Sequence, residues 1–336
     1  MQLAIQCTDN ETLLLNTTPA ETLYEAAKRQ GINWPIDCAE GVCGTCKCRI
    51  ISGSIDPGVY TDDALTQEES NAGYALGCQA RAQTDLVVAL RMPVAQLRRN
   101  KTVPTLPGRI ERIDPVAQNT LRLALTLNEA LDFLPGQYAK LKVPGTDVWR
   151  SYSFMSIPAR NEISFLIRLL PAGAMSDYLR QAQVGDVLEM TAPHGVFFMR
   201  PDAGRSVLIA GGTGLGPMLS MLQTAADNAS NTAQPMQLLY GVNDVAELAC
   251  LDVLDSVKRK LTDFSWSISI ANMANEDSGY RRGFATDLLD DFAADVSTTT
   301  FYLCGPPPMI ETGRAKLKAM GVSEDKIVYE KFIASS

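Results

Sequence analysis

The sequence predicts a multidomain α+β and α/β protein: a small domain of strands with one helix, then an antiparallel barrel, then a parallel α/β domain. Three observations predict it. Five of the eight cysteines crowd into the first 48 residues. Period-two hydrophobic runs fill the middle of the chain. In the last third, apolar runs alternate with helical stretches, the mark of a sheet covered on both faces. A length of 336 residues suits two or three such domains.

Composition narrows the function. Hydrophobic residues make up 46% and charged residues 20%, which fits a soluble globular protein and excludes wholesale disorder. Net charge is −8, with no basic run longer than the three residues Lys258-Arg259-Lys260, so no nucleic-acid partner is expected. The opening residues lack a secretory pattern, and no apolar stretch approaches the ~20 residues that span a bilayer. A cytoplasmic protein without a membrane partner is expected. His194 is the single histidine; it argues against multi-histidine metal sites and is expected to be structural.

In residues 1–97, Gln2–Cys7 and Thr12–Asn16 read as strands. Thr18-Pro19-Ala20-Glu21 reads as a capping box opening a helix over Glu21–Gln30, which stops at Gly31. Lys47–Ser52 and Leu86–Leu90 are further strands. Residues 98–106 fall in a stretch with Pro93, Pro104 and Pro107 that suits a linker. In residues 107–203, alternation marks strands at Thr120–Leu127, Tyr138–Val143, Trp149–Met155, Glu162–Leu169 and Val187–Thr191, with one helix near Ser176–Gln181. In residues 204–336, strands at Val207–Ala210, Leu238–Tyr240, Trp266–Ile270 and Phe301–Cys304 alternate with helices.

The cysteines carry the strongest signal. Cys38, Cys43 and Cys46 stand as C-x4-C-x2-C, with Cys78 following at a distance. This is the spacing of a plant-type [2Fe-2S] site, in which one tight loop supplies three thiolates. Gly41 and Gly44 let that loop bring backbone N–H groups close to sulfur. A structural zinc site or a group of buried thiols is the alternative, but zinc favours two short cysteine pairs and here there is one. Cys7 and Cys48 lie on strands and read as packed thiols.

Arg150-Ser151-Tyr152-Ser153 lies on a strand, with Arg150 and Tyr152 on one side. An arginine can grip a pyrophosphate, a tyrosine ring can lie on a planar heterocycle, and a hydroxyl can reach a ring nitrogen. Chance occurrence on a strand is the bland reading. Further on, the segment from Arg168 through Gly173 to Ser176 ends at a predicted helix start, which favours phosphate. Val207–Ala210 then runs into Gly211-Gly212-Thr213-Gly214-Leu215-Gly216-Pro217, a strand, glycine turn and helix suited to a dinucleotide. Pro217 stands where a classical dehydrogenase fingerprint has its last glycine. A tight turn without a ligand is the alternative. Residues 206–257 hold no Lys or Arg, and the loop containing Asp244 is acidic, which favours NADH over NADPH. Arg281-Arg282 would supply positive charge if the chain folds it back into range.

From Cys38 to Cys78 the chain resembles a plant-type ferredoxin domain with the β-grasp fold. The later motifs resemble R-x-Y-S/T, G-x-x-S, G-G-T-G-x-G/A-P and C-G-P/S-x-x-M of the ferredoxin–NADP reductase superfamily. That resemblance implies an FAD-binding barrel in which Arg150 and Ser176 hold phosphate, Tyr152 stacks on the ring and Ser153 lies by its reactive nitrogen. It places Cys304, followed by Gly305 and Pro306, beside the nicotinamide carbon, which makes Ser153 and Cys304 the catalytic candidates. Phe332 either covers the flavin or is a packed terminal aromatic. The order of the three parts is similar to single-chain NADH-dependent reductases of bacterial aromatic-ring dioxygenases, the benzoate 1,2-dioxygenase type among them. It implies NADH, FAD and a [2Fe-2S] cluster acting in that order, with a Rieske-type oxygenase component as transient acceptor. Reductases of phenol- or methane-type monooxygenases share the architecture. Outside the enzymes, a non-catalytic zinc- or nucleotide-binding module is the alternative. Residues 1–97 hold 12 acidic and 6 basic side chains, a face that either steers a basic partner or only keeps the protein soluble.

Overall fold

The computed structural model describes all residues except 99–102, 201–203, 229–233, 274–278, 293–294 and 333–336. The chain divides into two compact units, Met1–Pro104 with His194–Val196, and Thr105–Pro193 with Phe197–Ser336.

In the first unit, β1 (Gln2–Gln6) and β2 (Thr12–Asn16) pair antiparallel, with Leu3 opposite Leu15 and Ile5 opposite Leu13. All four are buried, because period two sends every second residue to one face. There follow α1 (Leu23–Arg29), β3 (Lys47–Ser52), β4 (Ile55–Asp56), α2 (Gln67–Asn71), β5 (Tyr74–Leu76), β6 (Arg81–Ala82), β7 (Leu86–Ala89) and α3 (Val94–Leu97). The main sheet runs β2-β1-β7-β3-β5, with β1 and β7 parallel at its heart. This is the β-grasp arrangement.

Two expectations for this unit need correction. The helix starts not at Thr18 but at Thr22, whose side chain caps Glu25 N while Glu25 returns a bond to the Thr22 backbone. T-x-x-E occurs twice here, and the first copy only folds the approach, Thr18 N donating to Glu21 Oε1 at 3.1 Å. The proline-rich stretch after Met92 is not all solvated chain. Val94 and Leu97 are buried, Val94 N donates to Asp9 Oδ2 at 2.9 Å, and Leu97 O accepts from Asn33 N at 2.7 Å.

The second unit opens with the barrel: β8 (Thr105–Ala117), β9 (Thr120–Leu131), β10 (Tyr138–Lys142), β11 (Trp149–Ser153), β12 (Arg160–Arg168), the short helix α4 (Ala174–Leu179) and β13 (Val187–His194). The strands lie in the order β11-β10-β13-β8-β9-β12, and a bridge between Phe154 and Phe165 joins the two ends. Phe133 stacks on Phe154 at 4.0 Å, and Phe154 meets Phe165 at 5.4 Å, filling the interior.

β8 was not expected, since Pro107 and Pro115 argue against a strand. Residues 105–108 pair with β13 alone, and pairing with β9 begins at Arg109. Pro107 therefore has a neighbour on one side only, where a missing N–H breaks no ladder. Pro115 sits at a register shift against β9, a place that tolerates proline.

The remaining elements are β14 (Arg205–Gly211), α5 (Leu215–Asp227), β15 (Met236–Val242), α6 (Leu251–Lys260), β16 (Phe264–Ile270), β17 (Arg281–Arg282), β18 (Thr299–Gly305), α7 (Pro307–Ala319) and β19 (Ile327–Lys331). They form a sheet in the order β17-β16-β15-β14-β18-β19, parallel throughout. The chain leaves β14 toward β15 and later returns to its other side as β18. That reversal opens a crevice at the carboxyl ends of β14 and β18.

Thr22→Ala removes the cap that α1 uses and costs about 1 kcal/mol. Amide hydrogen exchange at Ala26 and Ala27 is expected to rise roughly fivefold, with a much smaller rise for Thr18→Ala. Equal effects of the two substitutions would return the helix start to Thr18.

Candidate cofactor sites

The loop between α1 and β3 brings Cys38, Cys43 and Cys46 together with Cys78, which follows β5. Cys46 and Cys78 are buried, Cys38 and Cys43 half-buried. The thiols fall into pairs: Cys46 Sγ lies 3.2 Å from Cys78 Sγ, and the Cys38 and Cys43 thiols bear on each other's ionisation. N–H groups point at sulfur. Burial works against a Cys38 thiolate, yet the N–H groups of Glu40, Val42 and Cys43, with the Cys43 thiol, hold its pKa below the ordinary value. The bond with Cys46 holds Cys78 low and pushes Cys46 up.

Gly41 sits at φ +76°, and a Cβ there would lie 2.6 Å from Val59 O. Conformation and space both demand glycine.

Among the described residues, no three His, Cys, Asp or Glu converge as ligands of one metal ion. Two pairs of thiols suit a two-iron cluster, which takes two thiolates per iron, better than a zinc ion that needs four donors on one centre. Cys7 and Cys48 stand apart: burial pushes their thiols up to about 11 and about 12.

In the second unit, Arg150 and Tyr152 share one face of β11, both half-buried. Arg150 Nη1 donates to Trp149 O at 3.1 Å. Tyr152 packs against the barrel core, and burial pushes its phenol up to about 12. Ser176 is buried, its Oγ accepting from Leu170 N at 2.9 Å, so the hydroxyl holds the Arg168–Gly173 turn and keeps one proton to donate. Gly173 caps α4 without a side-chain bond.

Ser153, at the end of β11, reaches the other half of the unit. Its Oγ lies 3.5 Å from Glu330 Oε2, and Glu330 stands opposite Cys304 in the β18–β19 pairing. Cys304 is fully buried, and burial, with the Glu330 charge, lifts its pKa well above the ordinary thiol value. A neutral thiol suits a group lying against a reacting carbon and not a nucleophile. Glu330 is the residue that motif reading passed over. The signal was its place two residues before Phe332, but its role depends on β19 pairing with β18. Phe332 N donates to Gly305 O at 2.8 Å, and its half-buried ring packs on the domain core.

The glycines of the β14 turn divide by task. A Cβ on Gly214 would stand 2.1 Å from Cys304 O, and one on Gly211 would stand 2.6 Å from Met309 Sδ; the first lets the turn lie against β18, the second lets the end of β14 lie against α7. Gly212, at φ +54°, has open space before it and is where a phosphate can meet the backbone. Gly212 and Thr213 belong to a short turn that leads into α5, and Pro217 falls in the first turn of α5, where proline is tolerated.

A cavity of about 10 Å³ beside that turn is lined by Thr120, Arg168, Gly212, Thr213, Tyr240 and Glu247 among others. Arg168 Nη2 pairs with Glu247 Oε1 at 3.0 Å beside it. Of the acidic loop, Glu247 lines the cavity, while Asp244 is exposed and receives Asn272 Nδ2 at 3.5 Å. Arg281 is paired with Asp291 on the far strand of the sheet. A larger cavity of about 490 Å³ lies between the barrel and α5–α6, lined by Arg112, Arg122, Arg160 and Lys260 among others. It contains none of Tyr152, Ser153 or Cys304 and is not this site.

Tyr152→Ala is expected to weaken FAD binding about fivefold, through loss of a stacking contact worth ~1 kcal/mol. Flavin release on dialysis measures it, and unchanged retention would remove Tyr152 from the ring contact.

Three family models match in succession: a 2Fe-2S iron-sulfur cluster binding domain over residues 6–83, an oxidoreductase FAD-binding domain over 107–199 and an oxidoreductase NAD-binding domain over 208–315. Among curated relatives, the chain is 38% identical to the toluate 1,2-dioxygenase electron transfer component of Pseudomonas putida, covering 100% of this chain and 99% of the relative. It is 37% identical to the 2-halobenzoate 1,2-dioxygenase electron transfer component of Burkholderia cepacia, covering 98% and 97%. Among solved structures, the Amycolatopsis cytochrome P450 reductase GcoB superposes with TM-score 0.74 at 32% identity, covering 99% of this chain and 100% of that one. The chain belongs to the family of aromatic-ring dioxygenase electron transfer components, NADH-dependent oxidoreductases that join a [2Fe-2S] ferredoxin domain to FAD- and NAD-binding domains.

Proposed function

We propose that this protein carries electrons from NADH to the oxygenase component of an aromatic-ring-hydroxylating system, a Rieske-type protein that it meets transiently. An aromatic carboxylate of the benzoate kind is the substrate of that oxygenase. The observation that supports the acceptor most directly is end-to-end similarity to the electron transfer components named for toluate and 2-halobenzoate dioxygenases.

When bound, NADH gives two electrons as hydride, FAD takes the pair, and the cluster passes electrons on singly. The chain's residues divide the remaining work. Residues 1–97 form the ferredoxin domain, in which Cys38, Cys43, Cys46 and Cys78 hold the cluster; residues 98–106 link it to the rest. In the 107–203 barrel, Arg150, Tyr152, Arg168, Gly173 and Ser176 hold FAD. In the 204–336 domain, Gly211, Gly212, Thr213, Gly214 and Pro217 seat the nucleotide, together with Gly305 and Pro306, and Glu247 and Asp244 give the loop its acidity.

Ser153, Cys304 and Glu330 occupy the meeting point of the two halves. Ser153 and Glu330 hold a polar contact there while the buried Cys304 excludes water. On the ferredoxin domain, Val42 and Val59 are exposed, and so are Glu40, Asp62 and Asp63 near them in sequence. An apolar spot beside acidic side chains suits brief docking to a basic partner.

Cys43→Ser separates the two halves of the activity. NADH-driven reduction of an artificial dye is expected to stay within about twofold of the parent, while reduction of a purified Rieske oxygenase falls to background. Equal loss of both would show that the domains do not act in series. Reduction of a di-iron monooxygenase hydroxylase in preference to the Rieske protein would reassign the acceptor.

A further inference from the structure

We propose that Trp34 and Gly77 form a clamp that sets the separation of Cys46 and Cys78, and so tunes the reduction potential of the iron–sulfur site. The proposal rests on the reading of those two thiols as ligands. Trp34 is completely buried, the first of the large side chains that the structure hides from solvent. A buried indole has one polar atom to satisfy, a donor. Its Nε1 donates to the carbonyl oxygen of Cys46 at 3.1 Å. The same oxygen accepts Gly77 N at 3.0 Å, so both of its lone pairs are engaged.

Gly77 is glycine for a different reason from Gly41. Its φ is not positive, and any residue could adopt the backbone. Space forbids one: a Cβ would stand 2.5 Å from both Cε2 and Nε1 of Trp34. The indole therefore lies directly on the peptide that precedes Cys78 while bonded to the peptide of Cys46. Around it, Lys47 pairs with Leu76 in the β3–β5 ladder, and Gly77 O accepts from Tyr24 N at 2.8 Å. Two chain segments distant in sequence are thus held to one ring, and their sulfurs stand 3.2 Å apart.

The electrostatic consequence has a sign. Hydrogen bonding around the sulfurs and burial set the potential of such a site. A carbonyl that receives two N–H donors presents little negative charge to its surroundings. Without the indole donor, Gly77 N alone offsets its partial negative charge in a low-dielectric interior, and the larger residual charge disfavours an added electron. Trp34 acts through Cys46, so it is a positioning residue.

The test uses the full chain loaded with iron and FAD. Redox titration followed by electron paramagnetic resonance reads the midpoint potential and g-values, and iron analysis reads occupancy. Trp34→Phe keeps an apolar ring and loses the donor: occupancy is expected to hold, the potential to become more negative and the g-anisotropy to change. Gly77→Ala keeps the donor but drives the ring away, and is expected to lose most of the iron. The double variant, with a smaller ring, is expected to regain it. Parent potential and g-values in Trp34→Phe, or full iron in Gly77→Ala with an unchanged spectrum, would overturn the clamp. Stoichiometric iron in Cys46→Ala would instead remove the ligand reading beneath it.

Discussion

The apolar seam inside the second unit is the constraint on which the rest of the redox arrangement depends. Met155 and Leu166 of the barrel are buried in one core with Leu215, Leu219 and Tyr302 of the parallel-sheet domain. Each such side chain contributes roughly 2 kcal/mol by leaving water. Polar bonds fix its register: Ser220 Oγ donates to Ser156 O at 2.6 Å, and Gln223 Nε2 donates to Met155 O at 2.8 Å. A Cβ on Gly216 would stand 3.5 Å from Leu166 Cβ and 3.9 Å from Ser153 O, so α5 lies close against the end of β11. That seam delivers Ser153 to Glu330 and Cys304. A shift along it would separate the group expected at the flavin from those expected at the nicotinamide, and proximity is the main contribution a protein makes to a hydride step.

The first unit solves a different problem. A cluster is anionic and large, and four thiols must meet it in a small domain with little core to spare. The parallel pairing of β1 with β7 and the capped α1 build a frame, and the cysteine loop hangs from β3. The loop offers backbone N–H groups to sulfur, so the cost of gathering anionic ligands is offset by donors that need no further side chains. The two units contribute separable capacities: one exchanges electrons in pairs with a nicotinamide, the other singly with a protein.

Much of this was legible in the residues. The Cys38–Cys78 spacing and the β14 glycine turn are local patterns with local causes, and both the cluster domain and the nucleotide domain followed from them. The first part of β9 was readable because leucine recurs at every second position from Leu121 to Leu127. What was not legible depends on contacts between distant residues. β8 carries prolines that are tolerated only because one neighbouring strand at a time is present. The choice of Thr22 over Thr18 as the cap follows from where α1 packs, since both begin a T-x-x-E. Glu330 and Glu247 have no motif, and their partners Ser153 and Arg168 lie far away in sequence; Trp34 has no motif either, since its role depends on Gly77 coming to lie on its ring. The acidic loop was recognised, but Glu247 and not Asp244 is the member that faces the glycine turn.

One polypeptide wires nicotinamide oxidation to a one-electron centre. Stoichiometric NADH added without oxygen to protein of full iron and flavin content, followed by freezing and electron paramagnetic resonance, tests this most directly. The signal of a reduced [2Fe-2S] cluster is expected to rise with each addition, together with bleaching of the flavin absorbance. Flavin that bleaches while the cluster stays oxidised and silent would contradict it.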